Sequence, residues 1–338
     1  MTRQPLRHTS SSAASPLSLA LVGIAGALVA SAIYNESAAR RAERANPPRG
    51  RFIDVRGIRL HLLDTGGTGS PVVLLHGNGA TSADMEVSGL LDHLRDEHRV
   101  LAFDRPGFGY SERPRHTSWT PEAQADLLAA SLDRLGVRQA VVIGHSWGAM
   151  VATAFAQRHP QRVTKAILLS GYYFPTLRSD TFLGSPPAIP IIGDAMRETV
   201  SPLLGRAMAK QVVDKMFSPR QTPDRFWRHF PLELGFRPSQ IRASAEETAM
   251  MVPAAARMRK HYASISVPVT IIAGSDDGIC NANRQSKALH RAIRQSRLHI
   301  IPGFGHMVHY GASNVIAWAV EPDRKATQPP AGKAMELA

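Results

Sequence analysis

The chain has 338 residues, of which 43% are hydrophobic, so it is long and apolar enough to form a large globular domain and is not a disordered chain. Its single cysteine, Cys280, excludes an internal disulfide and any metal or redox site of the Cys-x-x-Cys type. The formal net charge is +13, but the basic residues are scattered and follow no helix-turn-helix, zinc-finger or RNP pattern, so we expect no nucleic-acid partner.

An uncharged apolar segment lies near the start of the chain. It reads LSLALVGIAGALVASAIY from Leu17 to Tyr34 and follows Arg3 and Arg7. As a helix it spans roughly 26 Å, slightly less than the ~30 Å hydrocarbon core of a bilayer. We predict that it anchors the protein in a membrane as a single helix. The alternative interpretation is a signal peptide, because Ala-Ser-Ala at 30–32 fits a cleavage site, and the protein would then be secreted.

A basic stretch, RRAERANPPRGR at 40–51, follows the apolar segment. Because it lies beside a predicted anchor, anionic lipid headgroups are its expected partner. Its five arginines outnumber Arg3 and Arg7, so the positive-inside rule favours a cytoplasmic location for the rest of the chain. A cleaved signal peptide would instead place the rest of the chain outside the membrane.

From residue 51 to about 175, short apolar runs alternate with helical patterns. RFIDV and IRLHLLD flank Arg56-Gly57 and predict a β-hairpin. TPEAQADLLAASLDRLG at 120–136 predicts a helix that begins at a Thr cap and ends before a Gly. Runs predicted as buried strands are PVVLLHG (71–77), RVLAFD (99–104), AVVIG (140–144) and KAILLSG (165–171). Strands that are apolar on both faces and separated by helices predict a mostly parallel sheet covered on both sides, which is an α/β fold.

The alternation stops over residues 176–262, where Pro, Met and Arg are frequent and runs such as RAMAKQVVDKMF are helical. It resumes with the strand VPVTIIAG, a helix over about 283–293 and a last strand, RLHIIPG. We therefore predict an N-terminal anchor or signal with a basic linker (1–50), two parts of one core (51–175 and 263–321), a helical cap (176–262) and a disordered tail (322–338).

The stretch GHSWG at 144–148 follows a predicted strand and opens a predicted helix. This is the context of a nucleophile elbow, a sharp turn that raises a serine hydroxyl above the edge of a sheet. Gly144 and Gly148 lie where a side chain would clash as strand and helix cross closely. We predict that Ser146 is a nucleophile.

A serine nucleophile needs a histidine base, and the base needs a carboxylate that holds its tautomer. Both follow late strands in the required order, since IIAGSDDGI supplies Asp276 and Asp277 and IIPGFGHMVHY supplies His306. His309 is a competing base, but His306 in GFGH fits better. We expect structural roles in loops for four polar residues beside these motifs, His76, Asp104, Arg105 and His145.

Five stretches in this order, VVLLHGNGA, FDRPGFGYSERP, GHSWGA, GSDDGI and GFGHMVH, resemble α/β-hydrolase-fold proteins of the esterase, haloperoxidase and C–C hydrolase group. The resemblance covers residues 51–321. It implies an α/β-hydrolase fold with a helical cap, and it assigns the triad acid to Asp277, three residues after the strand-ending glycine, with Asp276 as the alternative. It also assigns the oxyanion hole to the backbone N–H groups of Trp147 and Asn78.

The pair Asn78 and Trp147 also resembles the side chains with which haloalkane dehalogenases hold a halide. Those enzymes, like the related epoxide hydrolases, attack with an aspartate at the position of Ser146. An alkyl group transferred to Ser146 would offer no acyl carbon for water to attack, so the transfer would be a dead end. We therefore discount dehalogenation and epoxide opening.

These features predict a serine hydrolase that acts through Ser146, His306 and Asp277, without a metal or cofactor, on a carboxylic ester or related acyl compound. Apolar runs in the predicted cap, such as IPII, PLLG and AMMVP, favour a lipophilic small molecule. Hydrolysis of a C–C bond in a β-diketone is an alternative with the same triad. A non-catalytic protein that binds a ligand or partner is an alternative of another class, and the sequence leaves the oligomeric state open.

Overall fold

The computed structural model describes residues 15–176 and 184–321. Arg3, Arg7, residues 177–183 of the predicted cap and the predicted tail, 322–338, lie outside the described residues. Within them, one sheet carries the candidate site and one long helix precedes it.

The first helix, α1, runs from Pro16 to Ala45 and is longer than the predicted anchor. The stretch SAARRAERA after Tyr34 is rich in strong helix formers, and three of its alanines are buried, so the basic stretch predicted as a linker is helical up to residue 45. The most apolar 18-residue window of α1 has a mean hydropathy of 2.1, and none of it is buried. Length and composition thus allow α1 to cross a membrane.

The strands of the core form a single eight-stranded sheet. Its order is β1-β2-β4-β3-β5-β6-β7-β8, antiparallel from β1 to β4 and parallel from there to β8. The predicted hairpin pairs as β1 and β2, and the predicted, mostly parallel sheet is confirmed. The bounds are β1 Arg51–Val55, β2 Ile58–Asp64, β3 Ser70–Leu75, β4 His98–Phe103, β5 Ala140–His145, β6 Val163–Leu169, β7 Val269–Gly274 and β8 Arg297–Ile301.

Helices cover both faces of the sheet, as predicted. They are α2 Ser82–Val87, α3 Leu90–Arg95, α4 Pro121–Arg134, α5 Trp147–Arg158, α6 Ile192–Glu198, α7 Val200–Phe217, α8 Asp224–His229, α9 Pro238–Met258, α10 Ser286–Ala292 and α11 Ser313–Val320. Apolar side chains of α4, α5, α10 and the end of α9 form the core on one face, and those of α2, α3 and α11 form the core on the other.

Between β6 and β7, the described residues 184–264 form helices α6 to α9 and short 3-10 turns, and we call this segment the cap. Side chains of α9 reach the loops that follow β3 and β4, and the end of α7 contacts the loop that follows β8. The cap therefore lies over the carboxyl ends of the parallel strands, the edge at which ligands bind in open α/β sheets. The exact domain boundaries stay a prediction.

Candidate active site

Ser146 lies on a sharp turn between β5 and α5. Its φ and ψ are 53° and −115°, in the positive-φ region that residues other than glycine seldom adopt. Its N–H donates to the Leu169 carbonyl at 2.9 Å, and the Ala149 N–H donates to its carbonyl at 3.1 Å. The serine is partly exposed although β5 is buried. Local hydrogen bonds thus hold the serine at the edge of the sheet in a strained conformation.

Close packing around the turn explains the two flanking glycines. A Cβ on Gly144 would collide with the Gly148 backbone, and a Cβ on Gly148 would collide with the Leu75 carbonyl at the end of β3. A Cβ on Gly77 would come within 3.2 Å of the Ser146 Cβ. The loop after β3 therefore passes directly beside the serine.

His306 and Asp277 form a buried pair. His306 Nδ1 lies 2.9 Å from Asp277 Oδ2, and the two side chains are 3% and 0% exposed. Asp277 Oδ1 accepts the backbone N–H groups of Ile279 and Cys280 at 2.8 and 2.7 Å. Three donors fix the carboxylate, and because a carboxylate accepts, the imidazole proton lies on Nδ1 and leaves Nε2 as an acceptor.

The two alternative residues make other contacts. The Asp276 side chain is exposed and accepts from the Ser275 hydroxyl. His309 Nε2 lies 3.0 Å from one oxygen of Asp84, whose other oxygen accepts from the Tyr310 hydroxyl at 2.9 Å. The structure thus brings Asp277, and not Asp276, against His306.

His145, the residue before the serine, connects it to the two histidines. The His145 ring centre lies 4.8 Å from that of His306 and 4.4 Å from that of His309. His145 Nε2 lies 3.1 Å from the His306 carbonyl, to which it donates. Burial, with the charges of His309 and His306, lowers the pKa of His145 well below 6.5 and keeps the ring neutral. The His306 imidazole thus packs against the residue that precedes Ser146 in the chain.

Three residues of this layer offer possible metal ligands within 4.8 Å of one another, namely Asp84, His145 and His309. Asp84 and His309 already bond to each other, and His145 bonds to the His306 carbonyl. The three side chains form a hydrogen-bonded layer beside His306, in which Nδ1 of His145 and Nδ1 of His309 are buried without a hydrogen-bond partner among the described residues.

The cap holds the backbone of His306. The His306 N–H donates to the Met216 carbonyl near the end of α7 at 3.1 Å. A Cβ on Gly305 would collide with the Ser218 carbonyl, which shows how closely the two segments approach. The position of the imidazole therefore depends on the cap as well as on the sheet.

The two predicted oxyanion donors lie in the loops around the serine. Trp147 is the first residue of α5, so its N–H is at the positive end of the helix dipole. Asn78 follows Gly77 in the loop beside Ser146. Among residues 15–176 and 184–321, neither backbone N–H donates a hydrogen bond to another backbone group. Both are therefore available to a developing negative charge.

The side chains of Asn78 and Trp147 have different surroundings. The Asn78 amide donates to the Ser244 carbonyl and the Thr248 hydroxyl of α9 at 3.2 and 3.0 Å. The Trp147 indole is buried in the core, and its N–H has no partner in the part of the chain that is described. The cap therefore uses the amide donors of Asn78, whereas the indole N–H of Trp147 is left without a partner among the described residues.

Glu247 of α9 is a buried residue that the sequence analysis did not identify. Its carboxylate forms a two-point ion pair with Arg105, with Nη2 to Oε2 at 3.0 Å, and both side chains are at most 2% exposed. Arg105 also donates to the His76 carbonyl at 2.8 Å. Glu247 lies seven residues from buried Gln240 and Ala254, so helical periodicity could have placed it on the inner face.

His76 and Asp104 bind the loops beneath the cap. His76 Nε2 accepts the Arg105 N–H at 3.0 Å, and its Nδ1 donates to the Gly77 carbonyl at 2.7 Å. Burial, with the charge of Arg105, lowers the pKa of His76 to about 3. Asp104 accepts from His61 Nδ1 at 2.7 Å and from the Ser82 N–H at 2.7 Å. These contacts are structural, as expected.

A family model described as alpha/beta hydrolase fold matches residues 70–312, which include the elbow, the carboxylate and the histidine. The chain belongs to the α/β hydrolase fold family. The family resemblance seen in the sequence and the predicted α/β-hydrolase fold are thereby confirmed, and the chain is a member of a family of enzymes.

Two curated hydrolases show how far sequence similarity extends across this α/β hydrolase. A 2-hydroxymuconate semialdehyde hydrolase of Pseudomonas sp. (strain CF600) is 37% identical over 137 residues, which are 40% of this chain and 48% of that protein. A 2-hydroxy-6-oxo-2,4-heptadienoate hydrolase of Pseudomonas putida is 29% identical over 273 residues, 78% of this chain and 91% of that protein. The first match spans about half the length of the relative, and the second spans nearly all of it.

A solved structure of a membrane phospholipase A superposes with a TM-score of 0.61 at 21% identity, over 90% of this chain and 94% of that chain. At this identity the likeness shows the fold alone. The predicted hydrolase is thus confirmed at the level of the family, while the bond that is cleaved and the substrate are matters for proposal.

Proposed function

We propose that this protein is a serine hydrolase that cleaves a carboxylic ester or related acyl bond through Ser146, His306 and Asp277. The observation that carries the proposal is the buried hydrogen bond between His306 Nδ1 and Asp277 Oδ2, in which the His306 ring packs against His145, the residue before a serine on a strained elbow. A carboxylate that holds the imidazole proton on Nδ1 leaves Nε2 free to act as the base that a serine nucleophile needs.

The chemistry follows from the roles that these atoms can take. His306 Nε2 removes the Ser146 hydroxyl proton as the oxygen attacks the acyl carbon, and Asp277 stabilises the imidazolium that forms. The backbone N–H groups of Trp147 and Asn78 donate to the oxyanion. His306 then protonates the leaving group. In the second half of the reaction, His306 removes a proton from the water that attacks the acyl-enzyme and returns it to the Ser146 oxygen. No step of this mechanism needs a metal or cofactor.

The test is covalent labelling with a fluorophosphonate together with ester hydrolysis. Ser146→Ala should abolish labelling and lower kcat at least about 10³-fold, since the nucleophile is removed. Ser170→Ala is the matched control, because Ser170 is a fully buried serine with positive φ that follows the neighbouring strand β6. Labelling that persists in Ser146→Ala would refute the assignment, and an inert native protein would favour a non-catalytic binding role.

We propose a lipophilic acyl substrate, because the cap is rich in apolar residues and the chain carries an apolar N-terminal helix. An ester series with increasing acyl length tests this directly. We expect kcat/KM to rise with chain length. A preference for short, charged esters would contradict the proposal.

Hydrolysis of a C–C bond is the second candidate, favoured by the similarity to a 2-hydroxy-6-oxo-2,4-heptadienoate hydrolase over 78% of this chain. The same triad residues could serve that reaction. An assay that compares an acyl ester with a ring-cleavage dienoate discriminates the two, since only a C–C hydrolase turns over the dienoate.

We also propose that α1 anchors the protein in a membrane and is not cleaved. Ser31, which lies inside the possible cleavage site, donates from its hydroxyl to the Thr199 carbonyl of the cap at 2.8 Å. Cleavage there would remove a residue that the fold uses. The apparent mass of the protein in membrane and soluble fractions tests the anchor, and a soluble product shortened by the segment would support the secreted alternative.

A further inference from the structure

The cap exposes an apolar surface that the proposed reaction does not use. We call it the apolar cap face, and its side chains are between 42 and 82% exposed. Val200 and Leu204 are four residues apart on α7, and exposed Met208 and Val212 continue the same stripe. Soluble monomers seldom expose contiguous apolar patches of this kind. The face consists of Ile189, Ile191, Ile192, Val200, Leu203 and Leu204.

This face begins where the exposed part of α1 ends. Asn35 Nδ2 of α1 donates to the Thr199 carbonyl at 2.7 Å and to the Glu198 carbonyl at 3.0 Å. Thr199 is the residue that precedes α7, so the α6–α7 junction is fixed directly against α1. The exposed apolar part of α1 therefore ends beside Thr199, and the apolar cap face continues on α7 from the next residue, Val200.

Tyr34 marks the level at which the two surfaces meet. Its ring lies between the guanidinium groups of Arg41, at 5.9 Å, and Arg206, at 5.8 Å. Tyrosine is enriched at the boundary between acyl chains and headgroups, and arginine extends its charge toward the phosphates there. Exposed Lys210 on α7 pairs with Asp214 of the same helix at 2.5 Å, so it adds an ion pair and no net charge there.

The length of α1 sets the height of the bilayer against the cap. From Leu17 to Tyr34 the helix rises roughly 26 Å, a little less than the ~30 Å hydrocarbon core. A span this short leaves no spacer between the membrane and the cap. The bilayer surface must therefore lie at the level of Tyr34 and Asn35, beside Thr199 and the apolar cap face.

We propose that the apolar cap face inserts into the boundary between headgroups and acyl chains of the bilayer that holds α1. The proposal rests on the membrane anchor proposed above and adds a second, independent membrane contact. The proposal also specifies the source of the substrate. The cap that contacts the lipid is bonded directly to the candidate site, since the Met216 carbonyl accepts from the His306 N–H and the Thr248 hydroxyl accepts from the Asn78 amide. Acyl compounds dissolved in the bilayer then reach the site from the lipid and not from water.

Depth-dependent quenching tests the contact on the full-length chain. Leu204→Cys is labelled with an environment-sensitive fluorophore and reconstituted into vesicles of phosphatidylcholine and phosphatidylglycerol that contain brominated lipid. Arg138→Cys is the control, because Arg138 is exposed just before β5, at the opposite edge of the sheet. The native Cys280 is buried, so the unsubstituted chain reports background labelling. We expect a blue shift and loss of most emission at position 204 and no change at position 138.

The outcomes separate the two proposals. An unquenched probe at position 204, in protein that resists carbonate extraction, would overturn the docking of the cap while the anchor stands. Extraction by carbonate would refute the anchor and the docking together. A probe that is shielded from water but not quenched by bromine, with energy transfer between labelled chains, would show that a second copy covers the face and would also overturn the proposal.

A charge substitution tests the consequence for substrate delivery. Leu204→Asp should lower turnover of a long-chain ester within vesicles several-fold and leave turnover of a water-soluble ester unchanged. Trp227→Asp is the control, since Trp227 is 39% exposed on α8, beyond the far end of α7. Equal loss of both activities in Leu204→Asp would contradict the proposal, because it would indicate damage to the site itself.

Discussion

Asp276 and Asp277 follow the same strand and have the same chemistry, yet their surroundings differ completely. Asp277 is buried against His306 and two backbone N–H groups, whereas Asp276 is exposed beside Ser275. The residue order alone left both aspartates open, and the family resemblance favoured Asp277, because the difference between them arises from the register of a turn. The same substitution can therefore be made at both aspartates, one buried and one exposed.

We expect Asp277→Asn to lower kcat about 10⁴-fold, because an amide favours the wrong imidazole tautomer and cannot stabilise the imidazolium. Asp276→Asn makes the same chemical change on an exposed side chain and should leave kcat near the native value. Steady-state kinetics with a soluble ester measure both. A similar loss in the two variants would mean that the triad acid is misassigned.

His76 gives a pH dependence of stability with a defined sign. Its pKa is about 3 in the folded protein against 6.5 in the unfolded chain, so the unfolded state binds more protons between these values. The free energy of unfolding should therefore fall as the pH drops below 6.5, by about 1.4 kcal/mol per pH unit from this group. Chemical denaturation in detergent measures it. In His76→Asn this contribution is absent, so the stability gap to the native protein should narrow at low pH.

At the scale of elements, the strands and the elbow were predictable because their signals are local. Apolar runs flanked by turn residues predicted β3, β4 and β5, and glycines two residues either side of Ser146 predicted the turn. The extension of α1 to Ala45 was missed, because the charges of this stretch indicated a linker, whereas three of its alanines are buried in the fold. The partners of Arg105 and His309 were also missed, since Glu247 and Asp84 are distant in sequence and only the tertiary fold brings them close.

The ion pair between α9 and the loop after β4 is expected to hold the cap on the core. Glu247→Gln leaves the buried Arg105 charge without its partner and should destabilise the protein by about 3 kcal/mol. Asp224→Asn removes a carboxylate charge from a surface pair of the same cap, since Asp224 and Arg228 lie 2.9 Å apart and are 81% and 69% exposed, and should cost less than about 1 kcal/mol. Denaturant midpoints of the two variants test this, and equal midpoints would show that the buried pair does not stabilise the cap.

At the scale of the whole molecule, α1 has two parts with different surroundings. Up to about Tyr34 it is exposed and apolar, and beyond that Asn35, Ala38, Ala39 and Ala42 are buried. Glu43 also pairs with Arg237 at 3.0 Å. The helix is therefore apolar and exposed at one end and packed into the fold at the other.

Two truncations should separate these roles. Removal of residues 1–30 deletes most of the apolar part and should yield a folded protein with native turnover of a soluble ester. Removal of residues 1–46 also deletes the buried alanines and the hydrogen bonds of Asn35, and should lower the unfolding free energy by about 3 kcal/mol. Thermal or denaturant unfolding compares the two proteins. Equal stability would show that the second half of α1 is dispensable for the fold.

Helix α7 is a rod of 18 residues, about 27 Å long, with one end fixed on α1 through Thr199 and the other on the His306 backbone through Met216. With α1 in a membrane, we expect a change in bilayer thickness to tilt α1 and to be transmitted through α7 to the proposed general base. Turnover of a soluble ester in vesicles of graded acyl-chain length measures this coupling, and a rate that is independent of bilayer thickness would contradict it.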